Sequence, residues 1–219
     1  MTETIKLPTY TEREERINVI THFIGFIMGV VSLIAMLVVA ISNTIFDSKN
    51  YIDIISAILF GGSLTMLYGM STIYHNEKDM VKRRKRQKFD HLSINILIAG
   101  SSSAYLISGL RNTIGFCVIG GIWFLSIISM ILNSINVKKF RAVTMVIYLL
   151  TGWSPIFLSK MIIDTCSIGC FSMLLAGGLS YTIGLTFYAI KREFMHSIWH
   201  CFVLVGSLLH ILGIFIYVF

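Results

Sequence analysis

Apolar residues gather in seven stretches, roughly 17–42, 52–75, 90–110, 113–132, 141–159, 166–190 and 196–219, with short polar segments between them. A helix needs about 20 predominantly apolar residues to cross a bilayer, and the stretches meet or approach that length. Ser101, Ser102 and Ser103 weaken the third, and Pro155 in the short fifth predicts a kink. The pattern predicts an all-α, polytopic membrane protein: one seven-transmembrane helix bundle over 17–219, preceded by a short segment, 1–16. The first stretch is longer than the roughly 7–15 apolar residues of a signal peptide. No small-residue cleavage site follows it, so it is expected to stay as a helix.

Composition agrees with that reading. Only 13% of the 219 residues are charged and 55% are hydrophobic, where a soluble domain carries about 25% charge. Mean hydropathy is +0.78. The net charge of +7 would suit nucleic acid, but the cations are confined to the gaps between apolar stretches, which is how topology determinants are distributed. With a cytoplasmic N-terminus, 15 of the 18 Lys and Arg residues lie inside, leaving Lys49, Arg111 and Lys160 outside. No nucleic-acid partner is expected. The dense run 82–88 has the charge to attract anionic lipid headgroups. Cys117, Cys166, Cys170 and Cys201 lie in or beside apolar stretches and read as buried small hydrophobes, with no disulfide framework.

Ionisable residues inside spans are costly and are functional-site hypotheses by default. Under this topology His75 closes the second span, Asp90 and His91 open the third, and His196 and His200 open the seventh. All then lie at one depth, on the inner side. His196 and His200 are spaced i,i+4, on one helical face and about 6 Å apart. Ser71 precedes His75 by the same interval. Three imidazoles with a carboxylate form a ligand set that catalytic zinc uses. Residues 197–199 supply no carboxylate, so the available general base is Asp90. His91 faces elsewhere on its helix. His22, on the inner side in the first turns of the first span, could approach the site but reads first as a polar packing residue, and His210, about 15 Å beyond His200 along its helix, as a satisfied buried histidine.

Ser71-Thr-Ile-Tyr-His75, Phe89-Asp90-His91 and His196-Ser-Ile-Trp-His200, in that order on seven helices, resemble the haemolysin III family. That family belongs with the progestin and adipoQ receptors and, more distantly, the alkaline ceramidases. Glu15-Arg16-Ile17-Asn18 leading to Thr21-His22 resembles the start of haemolysin III proteins. The resemblance implies a seven-helix bundle with a cytoplasmic N-terminus and Zn2+ near the inner face of the membrane, in a bacterial plasma membrane. His75, His196 and His200 would be the metal ligands, Asp90 would hold a water at the ion, and Ser71 would support the site. In the receptors and ceramidases this centre is associated with hydrolysis of the ceramide amide bond.

Two function classes follow. One is a zinc-dependent hydrolase of a lipid amide (ceramide-like) or ester bond, with a membrane lipid as substrate. The other is a non-enzymatic protein of membrane homeostasis, sensing or lysis, in which zinc is structural. Direct coordination by Asp90 would favour the second, because structural zinc usually has four protein ligands. A retinal protein needs a Schiff-base lysine, and no Lys occurs between Glu193 and Phe219. A proton-relaying transporter would gain support from an internal repeat, and none is evident.

Overall fold

The residues that face inward are not the most apolar ones. On α1 (Glu12–Phe46) the buried positions include Asn18, His22, Gly25, Gly29, Ser32, Met36 and Ala40, a 3.6-residue recurrence. The face turned outward carries Ile20, Ile24, Ile27, Val31, Ile34 and Val38, all exposed. Lipid tails are as apolar as these side chains, so association in a membrane draws on close packing of small residues and on interhelical hydrogen bonds. A Cβ at Gly29 would lie 2.9 Å from the Thr65 backbone nitrogen, and one at Gly61 would lie 2.7 Å from Leu33 Cα. These two glycines let α1 and α2 approach almost backbone to backbone.

The computed structural model describes residues 7–46 and 51–219. Every regular element among them is helical: α1, α2 (Tyr51–His75), α3 (Met80–Ser103), α4 (Thr113–Trp153), α5 (Ser159–Thr165), α6 (Ile168–Ala189) and α7 (Met195–Tyr217). A π-helical turn, Ala104–Leu110, extends α3, and a 3-10 turn, Ser154–Leu158, carries Pro155 between α4 and α5. Among the described residues six stretches are long and apolar enough to cross a membrane, the fourth running Thr113–Thr165. The chain is therefore a polytopic helical membrane protein. Lys6 and Lys49 of the charge tally, and the start of segment 1–16, lie outside the described residues.

The fourth stretch is not one rod. Asn136 has non-helical torsions (φ −160°, ψ 99°). Asn133 Nδ2 donates to Tyr148 Oη at 3.0 Å, although 15 residues of continuous helix would hold them about 22 Å apart. The chain therefore doubles back at Asn136, and the Asn136 side chain caps the new start by accepting from the Lys139 N–H at 3.0 Å. Asn95 Nδ2 also donates to Tyr148 Oη, at 3.3 Å, which packs the returning half against α3.

α3 begins ten residues before the apolar stretch that marks it in the sequence. Asp79 caps it, accepting from the N–H groups of Val81 and Lys82 at 2.8 and 3.0 Å. These two donors hold the exposed Asp79 carboxyl below its usual range. The basic residues 82–88 are consequently helical and not a loop.

The core runs between α1, α2, α3, α6 and α7 through Phe60, Leu64, Tyr68, Tyr105, Leu106 and Ile214. At the end remote from His75, Arg111 closes the π-helical turn in a left-handed conformation (φ 49°). Its Nη2 donates to both Asp53 oxygens, at 2.7 and 2.6 Å.

Candidate metal centre

Two helix ends, the close of α2 and the start of α7, meet at the other pole of the bundle. His75 is the last residue of α2, while His196 and His200 lie in the first two turns of α7. Their candidate ligand atoms, one per ring, all lie within 4.8 Å of one another. His75 Nε2 and His196 Nε2 face each other at 3.3 Å. Zinc–imidazole bonds of about 2.0–2.1 Å give a tetrahedral N···N edge of about 3.3–3.4 Å. His200 is fully buried, and among the described residues its Nε2 has no hydrogen-bond partner. An orphaned nitrogen of this kind costs stability unless something fills it. The donor set, the spacing and the orphaned atom all fit a zinc ion.

The surrounding contacts fix the rings. Glu15 Oε2 lies 2.7 Å from His75 Nδ1, which keeps the proton on Nδ1 and turns the Nε2 lone pair toward His196. Arg83, reaching back from α3, pairs with the other oxygen of Glu15. Thr21 Oγ1 stands 3.4 Å from His200 Nδ1. Asn18 Oδ1 accepts from Ser197 Oγ at 2.7 Å, joining α1 to the first turn of α7. Glu14 Oε1 accepts the Phe194 N–H at 2.8 Å. Phe194 is left-handed (φ 63°), a costly conformation for a bulky residue, and it sets the direction from which α7 presents His196. The Tyr10 ring covers His196, with centroids 4.8 Å apart. Burial pushes the Tyr10 phenol well up, so it stays protonated over the centre.

Each expected site residue has a definite place. His75, His196 and His200 come together, and among the described residues their cluster contains no carboxylate. Asp90 stands beside it, with the Ser71 hydroxyl and the His75 ring as neighbours of its carboxyl. His91 is outside the cluster and lines a cavity with Asp90. His22 is closer than a packing residue need be: its ring stacks on His200, centroids 3.5 Å apart, with both nitrogens unpartnered among the described residues. His210 lies outside the cluster, with Nε2 3.3 Å from the Leu174 carbonyl. Glu15, Asn18 and Thr21, with Tyr10, Glu14 and Arg83 around them, are residues that reading the sequence did not assign to the site. Asn18 and His22 recur on one face of α1 with Glu15 three residues before Asn18, and that periodicity was the available signal.

A narrow cavity of about 170 Å³ leads away from the centre. It starts at His22, Asp90 and His91 and continues between α3, the returning half of α4, α6 and α7. Ile94, Leu97, Phe171, Leu174 and Trp199 are among its apolar walls, and His210 lines it farther along α7. From Asp90 to Ser102, both lining residues, it follows α3 for about 18 Å.

The sequence profile described as "Haemolysin-III related" matches residues 10–211. The chain is 34% identical to the protein named Hemolysin-3 homolog of Bacillus subtilis (strain 168) over 202 residues, 90% of this chain and 91% of that one. It is 31% identical to Hemolysin-3 of Bacillus cereus over 219 residues, 100% of this chain and 98% of that one. A human protein named Monocyte to macrophage differentiation factor is 26% identical over 172 residues, 75% of this chain and 71% of its own length.

Proposed function

The chain belongs to the haemolysin III family, and on that premise we propose that it is an intramembrane zinc-dependent hydrolase of a lipid amide or ester bond. One observation carries the reading: two imidazole nitrogens face each other at a zinc-like 3.3 Å beside the orphaned, buried Nε2 of His200. His75, His196 and His200 would hold the ion. Asp90, next to the ligand cluster but not in it, leaves a fourth position for water, as catalytic sites do. Bound zinc supplies acidity to water at neutral pH and polarises a carbonyl.

The chain's own groups do the rest. Asp90 accepts the proton of the attacking water as its oxygen bonds to the carbonyl carbon, then returns that proton to the leaving nitrogen or oxygen as the C–N or C–O bond breaks. Ser71 holds the Asp90 carboxyl. Glu15 holds His75 in one tautomer. The apolar cavity beginning at Asp90 suits the hydrocarbon part of the substrate, with the scissile group at its mouth.

This reading takes the two halves of Thr113–Thr165, divided at Asn136, as separate spans. That gives seven spans, a cytoplasmic N-terminus and a centre near the cytoplasmic face of a bacterial plasma membrane. Cysteine labelling at residue 85 and at residue 219 tests the arrangement. Opposite sides are expected, and labels on the same side would overturn it.

The function is tested with purified, zinc-loaded protein and defined ceramides and acyl esters. Release of fatty acid is expected from the native chain and not from Asp90→Asn, with zinc retained in both. Loss of zinc from Asp90→Asn would make Asp90 a ligand and the ion structural. Equal hydrolysis by both would remove Asp90 from the chemistry.

A further inference from the structure

Two cavities share a wall at the histidine end. Arg141 and Tyr188 line the narrow apolar cavity, and the same two residues line a wider cleft of about 830 Å³ beside His196. The cleft lies among residues 7–11, the turn that follows Asn136 and the α6–α7 connection.

The cleft is basic. Lys138, Arg141, Lys191 and Arg192 line it, against Glu14 and Glu193. Both carboxylates have other work: Glu14 accepts the N–H groups of Thr11 and Phe194, and Glu193 accepts the Thr11 hydroxyl. Among the described residues none of the four cations forms an ion pair. The Arg141 guanidinium lies over the Tyr188 ring, 5.0 Å from its centroid. Stacking of this kind holds the group in place and leaves its in-plane N–H donors for an anion.

A role in topology accounts for cations on the inner side as a class. It does not account for one of them standing in the wall of a hydrocarbon-lined cavity, where the mouth of that cavity meets a basic cleft. We propose that cleft and cavity together bind a single anionic amphiphile. Its oxyanion head, a phosphate or carboxylate, sits on Arg141 with Lys138 and Arg192, and its hydrocarbon chain enters the cavity past Asp90. As a substrate assignment this rests on the hydrolase reading, and it narrows the substrate to acyl lipids bearing negative charge near the scissile bond. Binding itself requires no turnover.

The experiment uses the full chain in nanodiscs of phosphatidylcholine. Trp153 and Trp199 line the cavity, so a chain brominated at its end quenches their fluorescence on entry. The bromododecyl phosphate and the matching alcohol are titrated side by side, with zinc content measured in every sample. The phosphate is expected to half-saturate at a concentration at least about tenfold lower than the alcohol, as a charge-assisted contact provides. Arg141→Gln should remove that preference and Arg141→Lys keep most of it. Lys138→Gln combined with Arg192→Gln should weaken it while leaving the Tyr188 stack in place. Arg84→Gln, an exposed cation of α3 that does not line the cleft, should leave it unchanged. Equal binding of phosphate and alcohol would overturn the proposal, as would equal losses in Arg84→Gln and Arg141→Gln. Competition by inorganic phosphate alone would show a free anion as the ligand and overturn it too. Lost lipid preference with zinc unchanged separates this result from any failure of the metal assignment.

Discussion

The two poles of the bundle each bury ionisable groups, and they treat them in opposite ways. At one pole Asp53, with a side chain 2% exposed, receives both of its bonds from Arg111. Acceptor and donors match, and the pair joins the start of α2 to the turn after α3. The other pole holds His22, His75, His196 and His200, and among the described residues nitrogens of His22 and His200 remain without partners. A closed pair is the chemistry of a staple. A convergence of lone pairs with atoms left over is the chemistry of a binding site.

The largest effect is expected from removing one of the three clustered histidines. His196→Ala or His200→Ala should reduce zinc affinity by more than about 100-fold, beyond the roughly 10–100-fold effect of outer-shell partners. Equilibrium dialysis against a zinc indicator reads this directly. Next comes Glu15→Gln, which leaves His75 in place but removes the carboxylate on its Nδ1. Zinc affinity should fall by about 10–100-fold, with thermal stability little changed. Asp53→Asn at the opposite pole should do the reverse. Losing the charge against Arg111 should cost about 1–3 kcal/mol of stability, measured by denaturation in detergent, while zinc stoichiometry stays the same. A drop in zinc from Asp53→Asn would mean the poles are coupled and the contrast between them is false. The smallest effect is expected from Thr21→Val, which removes a single hydroxyl contact to His200 worth about 0.5–1.5 kcal/mol; it should weaken zinc binding by no more than about tenfold.

The histidine triad was legible because i,i+4 spacing and span ends are one-dimensional facts. His196 and His200 share a face on any helix, and the expected topology puts the end of the second apolar stretch at the same depth. The supporting groups were not legible for a physical reason. Glu15 and Arg83 sit in polar segments whose obvious role is orientation, and their pairing across 68 residues depends on how far α3 extends. Capping by Asp79 carries α3 back far enough for Arg83 to reach Glu15. His22 read first as packing with an approach to the site left open, since nothing in the sequence alone says that its ring will lie flat on His200. The fourth apolar stretch shows the same limit. Charges at Lys138, Lys139 and Arg141 marked a break, but only the Asn133–Tyr148 contact fixes the reversal at Asn136.

Whether His75, His196 and His200 hold one zinc ion is measured most directly by X-ray absorption at the zinc edge on purified protein, paired with metal analysis. One zinc per chain is expected, with a first shell of three imidazole nitrogens and one light atom, and loss of that signal in His196→Ala and His200→Ala. A full equivalent of zinc retained in both variants, or a native shell without imidazole, would contradict it.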